Sequence, residues 1–146
     1  MNDKGKFNEQ VRERTINMAA EVRNLLASVT VSALDRPIVN QLIRSSSSVA
    51  ANYRSATCAR SDAEFLAKIC IVLEETDESK FWLEYLVRIK VLNDSEAKSI
   101  TKELDELVRL FRSNQKEDEG ETWQSVKFKC HVPSAKCQVP GAKYGT

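Results

Sequence analysis

The stretch that decides the fold is QLIRSSSSVAANYRSATCARS (41–61), followed after a dozen residues by EETDESKFWLEYL (74–86). Apolar residues recur in both segments at three- and four-residue steps, the period of an amphipathic helix. Ser61 followed by Glu64 has the spacing of a capping box, so a new helix is expected to begin near Asp62. So short a joint makes the two helices antiparallel neighbours.

The same pattern extends outward in both directions. Between residues 7 and 114 there is one proline, Pro37, and no glycine, which disfavours a strand-rich fold because strands need frequent turn residues. Four helices are expected, over about 7–31, 35–59, 62–91 and 94–114, with Asp35 and Asn93 as caps. The fold class predicted is an all-α, antiparallel up-down-up-down four-helix bundle over 1–114, followed by a linker and a poorly ordered, irregular tail over 115–146.

The composition indicates a globular chain with no global preference for nucleic acid. It is 42% hydrophobic and 29% charged, with a net charge of +1. All ten arginines lie within the predicted bundle. They either pair with carboxylates of neighbouring helices or form a phosphate-binding face on an assembled oligomer. The candidates for contacting nucleic acid or a partner are Arg12, Arg14, Arg44, Arg54 and Arg60.

The carboxylates of the third helix allow two interpretations. Glu75 and Glu78 could belong to a metal site, but bundle di-metal sites use Glu-x-x-His pairs, and the one histidine, His131, lies in the tail. Arg44 lies about 16 residues before the corner and the two glutamates about 14–17 after it, so the side chains reach the same height. Ion pairs between helices are therefore predicted, with no metal and no cofactor.

No nucleophile–base arrangement is apparent in the chain. Ser45–Ser48 are poor helix formers within a helix, and their small side chains favour close helix packing. Cys58 and Cys70 are interpreted as small buried residues beside the corner. A zinc site built from Cys130, His131 and Cys137 would lack a fourth ligand. The protein is predicted not to be an enzyme.

Three aromatic residues lie close together late on the third helix. Phe81, Trp82 and Tyr85 span most of the helix circumference, so they cannot all face one core. Aromatic residues are enriched in the cores of interfaces. These residues are therefore predicted to form an oligomer interface.

The predicted location is the cytoplasm. The start, MNDKGKFNEQVRERT, contains no apolar run of a secretory signal, and no stretch is apolar enough to span a membrane. The four cysteines form no CxxC pair, which is consistent with reduced thiols. No membrane partner is expected.

The two opening segments resemble a known family: the bacterial four-helix-bundle proteins encoded within intervening sequences of 23S ribosomal RNA genes. The accessory protein of diversity-generating retroelements shares the pattern. The resemblance covers helices two and three well and helices one and four by length and spacing. The matching positions are Gln41, Arg44, Ser45, Asn52, Arg54, Glu75, Glu78, Trp82 and Leu83.

The resemblance implies a ring-like homopentamer without established enzyme activity, and for the retroelement relative a basic surface that engages nucleic acid and a reverse transcriptase. This chain departs from the pattern at Arg54-Ser55-Ala56, where relatives commonly carry an acidic residue and glycine. The leading prediction is a non-enzymatic homo-oligomer that binds RNA, DNA or a protein partner as an accessory factor. The alternative is a small carboxylate-metal or hydrolytic enzyme built in a helical bundle.

Overall fold

The computed structural model describes residues 3–114, which form four α-helices. The helices are α1 (Asp3–Ala27), α2 (Arg36–Ala56), α3 (Asp62–Arg88) and α4 (Asp94–Asn114). The predicted all-α four-helix fold is confirmed. None of these four helices is long and apolar enough to cross a membrane. The predicted tail, with its candidate zinc ligands, lies outside the described residues.

Each helix packs against two neighbours. Close backbone approaches join α1 to α2, α2 to α3, α3 to α4, and α4 back to α1, whereas no Cα atoms of the diagonal pairs lie within 8 Å of each other over residues 3–114. Near the α2–α3 corner, Lys68 Nζ donates to Ser55 Oγ at 2.6 Å. Farther from it, Ser79 Oγ donates to Ser45 Oγ at 3.0 Å. Residues equidistant from the corner therefore lie side by side, as two antiparallel helices require.

The core runs the length of the bundle and draws on all four helices. Tyr53 of α2 and Phe111 of α4 are both buried, with ring centroids 5.5 Å apart. Two apolar residues of α1, Phe7 and Ile16, are exposed. Thr15 is buried instead, because the buried positions of α1 advance by three or four residues through 11, 15, 18, 22 and 26, and its hydroxyl donates to the Arg12 carbonyl at 2.9 Å.

The predicted start of α3 is confirmed, and its cap explains the corner. Ser61 Oγ accepts a hydrogen bond from the Glu64 amide at 3.2 Å. Glu64 Oε2 reaches back to the Arg60 amide at 3.0 Å, so two amides at the turn are satisfied. Asp35 occupies the N-cap position of α2 but forms no side-chain cap, because its carboxylate accepts the Ser32 hydroxyl instead.

Four helix boundaries differ from the predicted ones by three or four residues; two of them are the start of α1, at Asp3 rather than about 7, and the end of α2, at Ala56 rather than about 59. α1 ends at Ala27, four residues before the predicted end, and α3 ends at Arg88. After α3 the chain turns at Lys90, whose φ of 63° is left-handed. The amides of Val91 and Leu92 bond back to the Leu86 carbonyl at 3.0 and 3.2 Å. These bonds satisfy the last turn of the helix and turn the chain toward α4.

Candidate assembly interface

The structure brings Arg44 of α2 together with both predicted carboxylates of α3. Arg44 Nη1 lies 3.4 Å from Glu75 Oε1, and Nη2 lies 2.5 Å from Glu78 Oε1. Gln41 accepts a further hydrogen bond from Arg44 Nε at 3.2 Å. The guanidinium group therefore holds three side chains at the α2–α3 boundary, and both glutamates are engaged by a cation.

Glu78 links this ion pair to the aromatic residues of α3. Trp82 Nε1 donates to Glu78 Oε1 at 3.0 Å, one helical turn away. The hydrogen bond from Arg44 lowers the pKa of Glu78 below its ordinary value, and the bond from Trp82 adds to this effect. The hydrogen bond to Glu78 raises the pKa of Arg44 in turn. The carboxylate therefore stays charged and fixes the orientation of the indole ring.

The run of four serines has two buried members. Ser45 and Ser46 are buried, Ser48 is half-buried, and Ser47 faces solvent. Ser79 Oγ donates to Ser45 Oγ at 3.0 Å across the two helices and also contacts the Glu75 carbonyl at 2.7 Å. Hydroxyl groups this close show that the backbones of α2 and α3 approach tightly, which larger side chains would prevent.

An exposed apolar stripe runs along the outer side of α3. We call Phe81, Tyr85 and Ile89 the α3 stripe; they lie four residues apart and are 55%, 39% and 36% exposed. The rings of Phe81 and Tyr85 stack with centroids 6.2 Å apart, and the half-buried Trp82 lies edge-on to both. Two of the three predicted interface aromatics thus face solvent, and Trp82 joins them to the core.

The five candidate arginines fall into two groups. Arg14 of α1 pairs with two carboxylates of α4, Glu103 at 2.8 Å and Glu106 at 3.0 Å, and the Glu103 hydrogen bond raises the pKa of Arg14. Three of the five make ion pairs: Arg12, Arg14 and Arg44.

The other two make no side-chain ion pair within residues 3–114: Arg54 and Arg60. The simpler interpretation, in which arginines pair with carboxylates of neighbouring helices, therefore holds for Arg14 and Arg44, whereas Arg12 pairs with Glu9 of its own helix. These five arginines are not brought together into one basic surface with unpaired charges.

A groove between α1 and α2 is a feature that the sequence analysis missed. It encloses about 350 Å³. It is lined by small or aliphatic side chains, namely Ile16, Ala19, Ser47, Ala50 and Ala51. It is also lined by four charged residues, Arg12 and Arg54 with Glu9 and Glu13. We call this the α1/α2 groove. The adjacent alanines Ala50 and Ala51 of α2 are visible in the sequence, but only the packing of α1 beside α2 shows that they line a groove.

The remaining candidate chemistry is sparse within the described part of the chain. No group of three or more His, Cys, Asp or Glu side chains in residues 3–114 is placed to hold a metal ion. The interpretation of Cys58 as a buried residue is wrong: it is exposed, because it lies in the turn after α2. Cys70 is half-buried on α3.

The architecture of residues 3–114 defines a small helical-bundle protein. A family model described as 23S rRNA-intervening sequence protein matches residues 8–113. The match spans well over half of the sequence, so the chain belongs to the 23S rRNA-intervening sequence protein family. This confirms the family resemblance of the two opening segments.

A solved structure supports the same relationship. It is the crystal structure of a protein of unknown function from the S23 ribosomal protein family of Bacteroides thetaiotaomicron VPI-5482. The two chains are 29% identical, with a TM-score of 0.61, and the match covers 70% of this chain and 95% of that chain. A search of curated proteins finds no match.

Proposed function

We propose that this protein is a non-enzymatic helical bundle that works as a homo-oligomer and serves as an accessory binding factor. The observation that carries the proposal is the α3 stripe, in which Phe81 and Tyr85 stack on each other in solvent. An exposed aromatic group held in a fixed arrangement is typical of surfaces that bind another protein.

The surroundings of the stripe support assembly over catalysis. Glu75 and Glu78 are the carboxylates best placed to do chemistry on this face, and both are bound by Arg44. The same ion pair fixes Trp82 through Glu78, so the aromatic group is pre-ordered and loses less side-chain entropy on binding. A metal-dependent or hydrolytic enzyme would need its carboxylates free or paired with a base.

Mass measurement tests this proposal. Light scattering at micromolar concentration should give a multiple of the 16.5 kDa chain mass, and a ring of five is the stoichiometry that the family resemblance implies. Phe81→Asp should lower this mass to that of one chain while the helical circular dichroism is retained, because Phe81 is exposed. A wild-type protein with the mass of one chain would refute the proposal.

A nucleic-acid role is the second candidate, supported by Arg54 and Arg60. Neither side chain makes an ion pair within the described residues, and both lie toward the α2–α3 corner. In a homo-oligomer these cations would recur once in every copy. Binding of labelled RNA or DNA should then weaken steeply between about 50 and about 200 mM salt, because counterions are released. Arg54→Gln with Arg60→Gln should flatten this dependence, and salt-insensitive binding would contradict it.

The relation to diversity-generating retroelements belongs to this second candidate. The shared pattern of Gln41, Arg44 and Trp82 is its basis, and a reverse transcriptase is the partner it implies. A gene for a reverse transcriptase beside the gene for this protein would support that role. A position within a 23S ribosomal RNA gene, with no such neighbour, would contradict it.

A further inference from the structure

We propose that the α3 stripe of one copy docks in the α1/α2 groove of the next copy, so that assembly is head-to-tail. This inference rests on the proposed homo-oligomer and names the two surfaces that meet. Phe81 and Tyr85 project from α3, whereas Ile16 and Ala51 line a concave surface between the helices α1 and α2. A groove lined by small side chains leaves room for a projecting aromatic pair.

The two surfaces lie on different sides of the bundle. α1 and α3 form a diagonal pair, with no Cα atoms within 8 Å of each other over residues 3–114. One copy can therefore use its groove and its stripe at the same time, with a different neighbour at each. A contact between two unlike surfaces propagates from copy to copy and closes into a ring when the rotation permits.

The residue spacing of the two surfaces matches when α3 lies antiparallel to α2 of the next copy. Seven residues separate Glu74 from Phe81, and seven separate Ser47 from Arg54, about 10 Å along a helix in each case. Placing Phe81 over Ser47 therefore places Glu74 beside Arg54.

The same register extends the apolar contact in the other direction. Tyr85 lies four residues after Phe81, and Ile43 lies four residues before Ser47. Ile43 is 38% exposed, and it lies at helical spacing from the groove residue Ser47. One docking register thus brings Tyr85 against Ile43 and Phe81 over the groove.

The charges at this register are complementary. Arg54 lines the groove and makes no ion pair within residues 3–114. Glu74 is exposed and likewise has no ion pair in that part of the chain. When two copies meet at this register, Arg54 of one copy and Glu74 of the next form an ion pair.

Complementation between two blocked chains tests the proposal. One chain carries Phe81→Asp, which blocks the stripe, and the other carries Ile16→Asp, which blocks the groove. Both positions are more than half exposed, so both chains are expected to fold. Each alone should have the mass of one chain by light scattering. Mixed in equal amounts, they should form a species of twice the 16.5 kDa chain mass, because one intact stripe still meets one intact groove.

A charge swap provides the second measurement. Arg54→Glu and Glu74→Arg should each weaken assembly, and the double variant should recover at least half of the lost association. A blocked pair that stays monomeric, with no recovery by the charge swap, overturns head-to-tail docking. The proposed homo-oligomer would then be supported by the measured mass of the wild-type protein alone. A monomeric wild-type protein instead overturns the proposed function together with this inference.

Discussion

The close approach of α2 and α3 predicts that Ser45→Leu destabilises the protein strongly. Ser45 is fully buried, and its Oγ lies 3.0 Å from Ser79 Oγ on the opposite helix. Oxygen atoms at hydrogen-bond distance leave no room for an isobutyl group between the helices. The substitution must therefore separate the helices or force side chains away from their preferred rotamers.

The expected cost follows from three contributions. Overpacking a well-packed core costs about 1–3 kcal/mol. Loss of the hydrogen bond from Ser79 adds about 1 kcal/mol, reduced because Ser79 Oγ keeps the Glu75 carbonyl at 2.7 Å. The better helix propensity of leucine offsets this loss of stability by roughly 0.5 kcal/mol. The free energy of unfolding should therefore fall by about 2 kcal/mol, with a thermal midpoint lowered by roughly 5–10 °C.

Urea unfolding followed by circular dichroism, at matched protein concentration, measures this change. Ser99→Leu is the matched control, because Ser99 is exposed within α4 and the same substitution there should change stability by less than about 0.5 kcal/mol. Ser45→Ala should cost about 1 kcal/mol or less, since it removes a hydrogen bond without adding volume. If Ser45→Leu is as stable as Ser99→Leu, the helices are not closely apposed at this level, and the reasoning is refuted.

Three further predictions concern the polar contacts. Arg44→Met should lower the free energy of unfolding by up to about 1 kcal/mol and weaken assembly, because it leaves Glu75 and Glu78 unpaired; an unchanged urea midpoint and mass would contradict this. Because folding lowers the pKa of Glu78, the ionised carboxylate stabilises the folded protein above the ordinary glutamate pKa of about 4.3. This stabilisation is lost as pH falls through the lower pKa of the folded state. Urea midpoints between about pH 7 and about pH 3 should therefore decline less in Glu78→Gln than in wild type, and parallel declines would refute the linkage. Burial raises the pKa of Tyr53 to about 12. The neutral Tyr53 hydroxyl therefore stabilises the folded protein fully below the ordinary tyrosine pKa of about 10, and this stabilisation is lost as pH rises through the folded value. Tyr53→Phe should flatten the alkaline decline of the urea midpoint, whereas a decline as steep as that of wild type would contradict it.

The fold could be predicted from local sequence because its determinants are local. The apolar period, Pro37 at the start of α2 and the Ser61–Glu64 capping box are each set by residues within a few positions of one another. The ends of helices were harder to place. α3 ends at Arg88 because Lys90 adopts a left-handed turn and the following amides bond to Leu86. Nothing in the run of residues before Asn93 marks that turn.

The position of an interhelix contact along the bundle axis could also be predicted from the sequence. Counting residues from the corner placed Arg44 level with Glu75 and Glu78, because antiparallel helices of equal rise keep equidistant residues side by side. Counting could not decide which arginines pair. Arg14 and Arg54 look alike in sequence, yet Arg14 meets two carboxylates of α4 and Arg54 meets none within residues 3–114.

The sequence by itself determined the number of helices, their order and the family to which the chain belongs, because periodicity, caps and short joints act over a few residues. Only the tertiary structure decided which side of each helix is covered. Within one run of serines it buries Ser45 and exposes Ser47, and on one turn of α3 it half-buries Trp82 and exposes Phe81. Those differences depend on the helix that packs alongside, and the α1/α2 groove exists only once both of its walls are in place.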